Sequence, residues 1–446
     1  MLLRVIFLGG ISVLLGVIHA AGGEPTPARN GWEDLVVGDD RPQYSANGDE
    51  QLATLVSAAL DRNPRVRESF ARYRAALQRI PQVSALPDPM LEVTQNFRSP
   101  ETTMVSLSQH FPWFGKLSDQ GKVTAKEANS IREMYEAQKA EVVQRVKLAY
   151  YDLAFMDRAI QITEEDQALL EHYETLAQAR YAQGMGLQQE VIKLQAEITR
   201  DRNRLEEFRR LRVDAESVLN RLVDRPTETP VPSVTLGTRP PVELDMEKLY
   251  AAGRNQRPEV RAALLLIERD EKQIQLSRRQ YWPDFTLSLG TVNMRGMSDP
   301  AAGMAASPEN GRNAYRFTVG LNLPLSRRKY DAGVLQATED FLATREAYRD
   351  TVNETERAIR SVEFRIRTVQ EQLSLFEGTL LPQAEQSLRS AEAAYTTGQL
   401  GVLDLLDGER VLLDVRLGLA QLDSDYMKSL AEMERATGAP FPEVRP

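Results

Sequence analysis

The sequence predicts a mainly α-helical protein that also carries four short β-strands, all within a structural unit that occurs twice. Three observations support this fold class. Short motifs recur at a fixed offset, long stretches contain neither glycine nor proline, and strict polar–apolar alternation is confined to two pairs of segments. Because both copies keep the same order of elements, we treat them as two halves of one fold.

The duplication is visible directly in the 446 residues. The first copy contains six residues that recur 194 positions later without a gap: Leu55, Pro64, Val66, Arg67, Ile80 and Pro89 become Leu249, Pro258, Val260, Arg261, Ile274 and Pro283. We therefore expect a first repeat over residues 51–230, a linker over 231–244, a second repeat over 245–440 and a tail over 441–446.

The N-terminus carries the only long apolar run of the sequence. Residues 1–21 combine Arg4, an apolar run and the small residues Ala20 and Ala21, which is typical of a cleavable secretory signal peptide. An uncleaved anchor is the alternative, although the run is shorter than the ~20 residues that a helix needs to cross a bilayer. Residues 22–50 are rich in turn formers, and we expect a flexible leader there.

Composition and motifs exclude several functions. The chain has no cysteine and a net charge of −9, so we expect no disulfide and no nucleic-acid partner. Its three histidines have no cysteine or carboxylate cluster at ligand spacing, so we expect no metal site and no cofactor. The nucleophile-elbow, Walker and dinucleotide motifs are absent from the sequence, which argues against an enzyme.

Very long helices are expected in both repeats. Residues 122–183, 187–225 and 334–377 contain neither glycine nor proline, whereas an average helix has about 11–12 residues. A helix from Lys116 to Gln183 would be ~100 Å long at ~1.5 Å per residue. The apolar positions of one stretch predict packing like that of a coiled coil. They are Leu187, Val191, Leu194, Ile198, Leu205, Phe208, Leu211, Ala215, Val218 and Leu222.

Glycines interrupt these helices at two equivalent places. Tyr181-Ala-Gln-Gly184-Met-Gly186 in the first repeat corresponds to Tyr395-Thr-Thr-Gly398-Gln-Leu-Gly401 in the second. Glycine suits a tight reversal between helices, because it adopts left-handed backbone angles at little cost. We therefore expect each repeat to contain a helical hairpin whose tip lies at these glycines.

Four segments alternate between polar and apolar residues, in two pairs. They are Leu91–Phe97 with Val105–Phe111, and Phe285–Leu289 with Tyr315–Leu323. Alternation over ~9–11 residues is typical of transmembrane barrel strands, although amphipathic strands on a soluble core are the alternative. Four strands cannot close a barrel, because the smallest membrane barrels have about eight. Membrane insertion therefore requires oligomerisation, and three chains would supply twelve strands.

Prolines and aromatic residues mark the boundaries between strands and helices. A proline there ends one pattern without losing a needed hydrogen-bond donor, and the four are Pro89, Pro112, Pro283 and Pro324. Beside them, the aromatic residues would form a belt at a membrane edge, with core packing as the alternative. They are Trp113, Phe114, Tyr281 and Trp282.

The duplicated order of helix, strand pair, long helix, tip and returning helix resembles the TolC family of outer-membrane efflux proteins. The resemblance covers residues 51–440 and is carried by three stretches: Ser108-Gln-His-Phe-Pro-Trp-Phe-Gly-Lys116, Arg180-Tyr-Ala-Gln-Gly184 and Tyr395-Thr-Thr-Gly-Gln-Leu-Gly-Val-Leu-Asp-Leu-Leu-Asp407. It implies a homotrimer, with a twelve-stranded β-barrel among outer-membrane lipids and an α-helical barrel in the periplasm. The implied partners are a periplasmic adaptor (membrane fusion) protein and an inner-membrane pump of the RND or ABC type.

The resemblance also implies which residues form the periplasmic gate. Asp404 and Asp407 match the paired aspartates that constrict the entrance in the family. They lie one turn apart, so both can face the pore, where up to six carboxylates in a trimer would favour cations. The alternative is that they merely favour a helix start. Glu190 at the equivalent place in the first repeat is a rim candidate. Leu400 replaces a basic residue that latches the closed tip in some members, so we expect a different latch.

The tip residues Tyr181, Gly184, Gly186, Tyr395, Gly398 and Gly401 are the implied adaptor contacts. The implied function is a passive exit duct of a tripartite efflux system. The outer-membrane component of a type I protein-secretion machine is an alternative with the same fold. A periplasmic coiled-coil adaptor or scaffold is an alternative of another class, but it would need a β-rich module. The stretch Phe111–Lys116 resembles heavy-metal or cation efflux relatives, yet the sequence does not specify the substrate.

Overall fold

The computed structural model describes Tyr44 and residues 49–97, 101–242, 244–295 and 313–441. The expected signal peptide, most of the leader, the two loops within the strand pairs and most of the tail lie outside the described residues. In chain order the elements are α1 (Glu50–Arg62), α2 (Pro64–Ser84), β1 (Met90–Asn96), β2 (Glu101–Phe111), α3 (Lys116–Ala182), α4 (Gln188–Leu222), α5 (Met246–Gln256), α6 (Pro258–Arg279), β3 (Phe285–Arg295), β4 (Asn313–Leu321), α7 (Arg327–Leu375), a π-helical turn (Phe376–Leu380), α8 (Leu381–Thr396) and α9 (Val402–Thr437).

Each repeat begins with two helices, and the corresponding helices of the two repeats start in the same way. The Asp49 carboxylate caps α1 by accepting hydrogen bonds from the N–H groups two and three residues further on, at 2.9 and 3.0 Å. Asp245 caps α5 by the same pattern. Pro64 and Pro258 occupy the first turn of α2 and α6, where a missing N–H costs no helical hydrogen bond. The duplication therefore extends to the caps of the helices.

The long helices are confirmed. Helix α3 has 67 residues, which corresponds to ~100 Å at ~1.5 Å per residue, and α4 has 35. In the second repeat, the 49 residues of α7 lead into the π-helical turn and then into α8. Pro382 lies in the first turn of α8 and cannot donate the N–H that an α-helix would need there. The wider π-helical turn before it is consistent with that missing bond.

The apolar positions predicted to pack along α4 are buried or half-buried, with two exceptions. Leu194, Ile198 and Leu205 are buried, as expected. Leu187 is 65% exposed, because it precedes the first turn of α4 at the hairpin tip. Val218 is also exposed, since the adjacent Leu219 takes the buried position.

The four strands form one antiparallel sheet in the order β1-β2-β3-β4. Strand pairs β1–β2 and β3–β4 lie within the repeats, as predicted. Strand β2 begins at Glu101, four residues before the predicted start, and β3 extends to Arg295. The β2–β3 pairing, which runs from Glu101 opposite Arg295 to Phe111 opposite Phe285, joins the two repeats. The sheet is therefore shared by both halves.

The register places apolar residues in rows across the sheet. Leu91 lies opposite Leu107, Leu107 opposite Leu289, and Leu289 opposite Phe317. All four are exposed, and Phe317 retains 68% of its accessible surface. Since side chains alternate between faces, the neighbouring row of Ser108, Ser288 and Thr318 lies on the other side. One face of the sheet is thus apolar and exposed, and the other is polar.

The buried core connects helices from both repeats. Its largest cluster packs α1, α3 and α4 against α5, α7 and α9, together with Val231 and Val234 from the linker. Lys147 of α3 and Glu434 of α9 form an ion pair of 2.6 Å within this region, and both are buried. A second cluster packs α3 and α4 against α8 and α9 towards the hairpin tips. Among the described helices, none is both long and apolar enough to cross a membrane.

Candidate functional site at the hairpin tips

The two hairpin tips are built alike. Gly184 and Gly398 have φ values of +73° and +78°, in the region that favours glycine. Their N–H groups donate to the carbonyl oxygens of Tyr181 and Tyr395, in both cases at 3.0 Å. Gly401, by contrast, has extended backbone angles and forms the N-cap of α9. The reversal therefore depends on the first glycine of each motif, as the repeated Tyr-x-x-Gly pattern indicated.

Arg180 connects the first tip to the second. Its guanidinium donates to the carbonyl oxygen of Tyr395, and its Cζ lies 4.8 Å from the centre of the Tyr395 ring. Tyr395 is 1% exposed, so this contact is made in a packed layer between α3 and α8. Arg180 is a bridging cation that the sequence analysis named only as part of a motif. Its position directly before Tyr181 was the available signal, but only the fold shows that it contacts Tyr395.

Glu190 lies beside this contact. It is half-buried, and its Oε2 is enclosed without a hydrogen-bond donor among the described residues. Burial raises the pKa of the Tyr395 hydroxyl, and the nearby Glu190 carboxylate raises it further. The structure thus places Glu190 close to Tyr395, and its role at the rim stays a prediction.

Asp404 and Asp407 lie on the exposed face of the first turns of α9. The Asp407 side chain is 79% exposed, and Arg410 Nη1 is 3.9 Å from Asp407 Oδ1. Leu403 shares this surface and is 55% exposed, whereas Leu405 and Leu406 are buried against the other helices. Both carboxylates are therefore free to face a shared pore if several chains assemble, and the gate role stays a prediction.

Polar contacts continue between the two hairpins above the tips. Tyr173 of α3 donates its hydroxyl to Glu392 of α8. Glu197 of α4 accepts from Arg410 of α9, with a 3.1 Å bond from Nε, and its carboxylate is almost fully buried. Burial would raise the pKa of Glu197, but the hydrogen bonds from Arg410 and the charge of nearby Arg200 lower it overall. The first-repeat and second-repeat hairpins are therefore held together by charged groups as well as apolar packing.

The junction between the sheet and the long helices is also stabilised by a partly buried ion pair. Lys116 Nζ lies 2.8 Å from Asp284 Oδ1 and 2.9 Å from the carbonyl oxygen of Trp282. The same Asp284 oxygen accepts the backbone N–H of Trp113 at 2.7 Å. The rings of Trp113 and Trp282 stack, with centres 5.1 Å apart and planes inclined by 10°. This network joins the two repeats at the level where strands end and helices begin.

The four prolines lie where the sequence analysis placed them. Pro89 directly precedes β1 and Pro112 directly follows β2. Pro283 lies two residues before β3, and Pro324 lies in the segment between β4 and α7. None of the four interrupts a strand or helix, as expected for a residue without an N–H donor.

A duplicated helical hairpin that ends in strands with one exposed apolar face is the architecture expected of an outer-membrane channel protein. The chain belongs to the outer membrane efflux protein family, whose sequence signature matches residues 55–224 and 249–439. This confirms the resemblance inferred from the tip motifs, and the family consists of transport channels.

Relatives and solved structures agree with this assignment. The chain is 22% identical over 429 residues to nodulation protein T of Rhizobium leguminosarum bv. trifolii, covering 90% of this chain and 88% of the relative. It is 22% identical over 418 residues to the outer membrane protein TolC of Vibrio cholerae, covering 87% and 91%. The solved structure of CusC has a TM-score of 0.75 at 17% identity, covering 91% of this chain and 96% of that one. The predicted fold of the single chain, with its long helices and four strands, is therefore confirmed.

Proposed function

We propose that this protein is the outer-membrane exit duct of a tripartite efflux system. In this proposal it works as a homotrimer that conducts substrates passively from an inner-membrane pump and a periplasmic adaptor. The strands lie in the outer membrane, and the helices extend into the periplasm. Membership of the efflux family supports the general role, and the geometry of the sheet supports the assembly.

The observation that carries the proposal is a sheet with two open edges and one exposed apolar face. Within the described residues, β1 and β4 each pair with one neighbouring strand. Open edges expose unpaired backbone N–H and C=O groups, which cannot be left unsatisfied in lipid. Further copies of the chain would satisfy them, and three copies of four strands give twelve. The row from Leu91 to Phe317 would then face lipid.

The tips suit the opposite end of such a duct. Tyr181, Met185 and Leu187 are at least 49% exposed around the first tip, and they offer an apolar surface to an adaptor. Three copies of Asp404 and Asp407 would place up to six carboxylates around the entrance and would favour cations. Energy for transport would come from the pump.

The proposal is tested by single-channel recording of the detergent-extracted protein in a planar bilayer. We expect small, stable, cation-preferring steps that multivalent cations block from one side. Phe317→Lys should prevent stable insertion, because it places a charge on the lipid-facing row, at a cost of about 2–4 kcal/mol near the membrane centre. Thr318→Lys, on the other face of the same strand, is the matched control and should still conduct.

Two results would contradict the proposal. One is recovery of the wild-type protein as a soluble species that gives no conductance. The other is insertion of the Phe317→Lys variant as efficiently as the wild type, since that would show that this face does not contact lipid.

A further inference from the structure

Three carboxyl groups from three different helices meet inside the packed layer above the tips. They belong to Asp166 of α3, Asp201 of α4 and Glu409 of α9. Asp201 and Glu409 are each 1% exposed, and Asp166 is 9% exposed. The group therefore spans the contact between the first-repeat hairpin and the second-repeat hairpin, and it is separate from the exposed Asp404 and Asp407.

These carboxyl groups face one another at hydrogen-bonding distance, which basic groups nearby do not reach. Asp166 lies within hydrogen-bonding reach of both Asp201 and Glu409. Asp166 Oδ2, Asp201 Oδ2 and both carboxyl oxygens of Glu409 are enclosed, and no other described residue donates a hydrogen bond to them. Because an ionised carboxylate only accepts hydrogen bonds, contacts of this kind require bound protons. The described side chains include no set of three or more ligands arranged for a metal ion.

The surrounding charged groups do not neutralise the cluster. Arg204 Nη1 is 3.7 Å from Asp201 Oδ1, beyond hydrogen-bond distance. Arg410 and Arg200 both pair with Glu197, at 2.5 and 2.7 Å, and the Arg410 charge also lowers the pKa of Glu409. Glu197 adds a further negative charge close to Asp201. Two guanidinium groups therefore stand near three enclosed carboxyl groups, and neither donates a hydrogen bond to the enclosed oxygens.

Burial is the largest influence on each member. The pKa of Asp166 and Asp201 is raised to about 8 and that of Glu409 to about 7. The hydrogen bonds act unequally: they raise the pKa of the donor, Asp201 against Asp166 and Asp166 against Glu409, and they lower the pKa of the acceptor. Tyr173 is the neighbouring titratable group on α3, and its hydroxyl is engaged by Glu392. Protons therefore remain on the cluster at neutral pH, where exposed carboxyl groups are ionised.

We propose that Asp166, Asp201 and Glu409 form a shared proton-binding site that clamps the two helical hairpins of one chain together. With protons bound, Asp201 donates to Asp166 and Asp166 donates to Glu409, which links α4 and α3 to α9. Without protons, enclosed negative charges repel one another across the same contact.

The direction of the pH effect follows from the raised pKa values. A carboxyl group whose pKa is higher in the folded protein contributes stability that is complete below its ordinary pKa near 4. That contribution is lost as the pH rises through the folded values of about 7 to 8. The clamp should therefore hold in acid and at neutral pH and loosen in alkaline solution. Its effect on conduction rests on the proposed function, whereas its effect on hairpin packing does not.

Infrared spectroscopy of the full chain in detergent tests proton binding directly. The carbonyl stretching band of neutral carboxyl groups should persist above pH 6 in the wild type and decrease as the pH rises through 7 to 8. Asp166→Asn combined with Glu409→Gln should remove most of this band while keeping the shape of both side chains. Asp214→Asn changes an exposed carboxylate of α4 and should leave the band unchanged. A wild type without the band above pH 6, or a band of undiminished intensity in the double variant, overturns the proposal.

Hydrogen exchange over residues 402–415 tests the clamp itself. At pH 9 we expect exchange in the wild type to be at least about tenfold faster than in the double variant, the ratio given by one pKa unit of linkage. At pH 6 the two should exchange alike, and comparison at equal pH cancels the chemical dependence of exchange. If the double variant does not fold, Glu409→Gln alone serves. Equal rates at pH 9 would overturn the clamp, whether or not the protein conducts in a bilayer.

Discussion

Replacing Arg180 by methionine should weaken the contact that holds the two hairpin tips of one chain together. The guanidinium donates a hydrogen bond to the Tyr395 carbonyl, a charge-assisted bond worth about 1.5–3 kcal/mol. It also lies 4.8 Å from the Tyr395 ring centre, which adds about 0.5–1 kcal/mol at a partly exposed site. Since Arg180 is half-exposed, we take the lower part of the combined range, about 2 kcal/mol. A loss of this size raises the ratio of separated to joined tips about thirtyfold.

In the proposed channel, where the tips form the entrance, single-channel recording measures this ratio as the open fraction and the lifetimes of each conductance level. Methionine keeps an unbranched apolar side chain but removes the charge and the donors. Arg180→Lys retains the charge without the planar guanidinium and should give an intermediate result. Arg209→Met is the matched control, because Arg209 forms exposed ion pairs with Glu206 of α4 and Glu164 of α3 and does not contact the second hairpin through them.

The reasoning is refuted by an Arg180→Met channel that assembles normally and has the open fraction of the wild type. In that case the contact between Arg180 and Tyr395 does not restrain the tips, and other contacts between the hairpins must hold them. A change of equal size in the Arg209→Met control would also refute it, since the effect would then follow net charge and not the tip contact.

Three further predictions concern other parts of the molecule. Asp404→Ala with Asp407→Ala should raise conductance and reduce block by multivalent cations, and unchanged block in bilayer recordings would remove the gate assignment. Lys116→Met should lower the free energy of unfolding by about 3 kcal/mol in a thermal unfolding experiment, because it leaves the Asp284 carboxylate unpaired where only 17% of that side chain is exposed. Adding Asp284→Asn to this variant should restore most of the lost stability. Burial would raise the pKa of Asp284, but its hydrogen bonds hold it below the usual range, so this stabilisation is present at neutral pH and lost as the pH falls through the lowered pKa. Gly184→Ala should cost about 1–2 kcal/mol through its positive φ alone, since no atom lies near the added Cβ, and a hydrogen-exchange profile of the tip identical to wild type would contradict it.

Local patterns in the sequence predicted much of this fold. Helix α3 follows from a run without glycine or proline, and the strands follow from alternation, because each depends on neighbouring residues only. The tips follow from the Tyr-x-x-Gly motif, since a left-handed residue favours glycine. The errors were also local: Leu187 and Val218 fit an ideal seam, but the turn at the tip and the register of α4 left them exposed.

Contacts between distant residues were decided by the tertiary structure. The β2–β3 pairing joins strands whose sequences suit many partners, so no pattern specified it. The Arg180 contact links residues 215 positions apart, and helical spacing alone gives no sign of it. The carboxyl groups of Asp166 and Glu409 look like ordinary surface charges on polar helices. They are buried together because the packing of two hairpins, each amphipathic by itself, determines which polar residues lie between them.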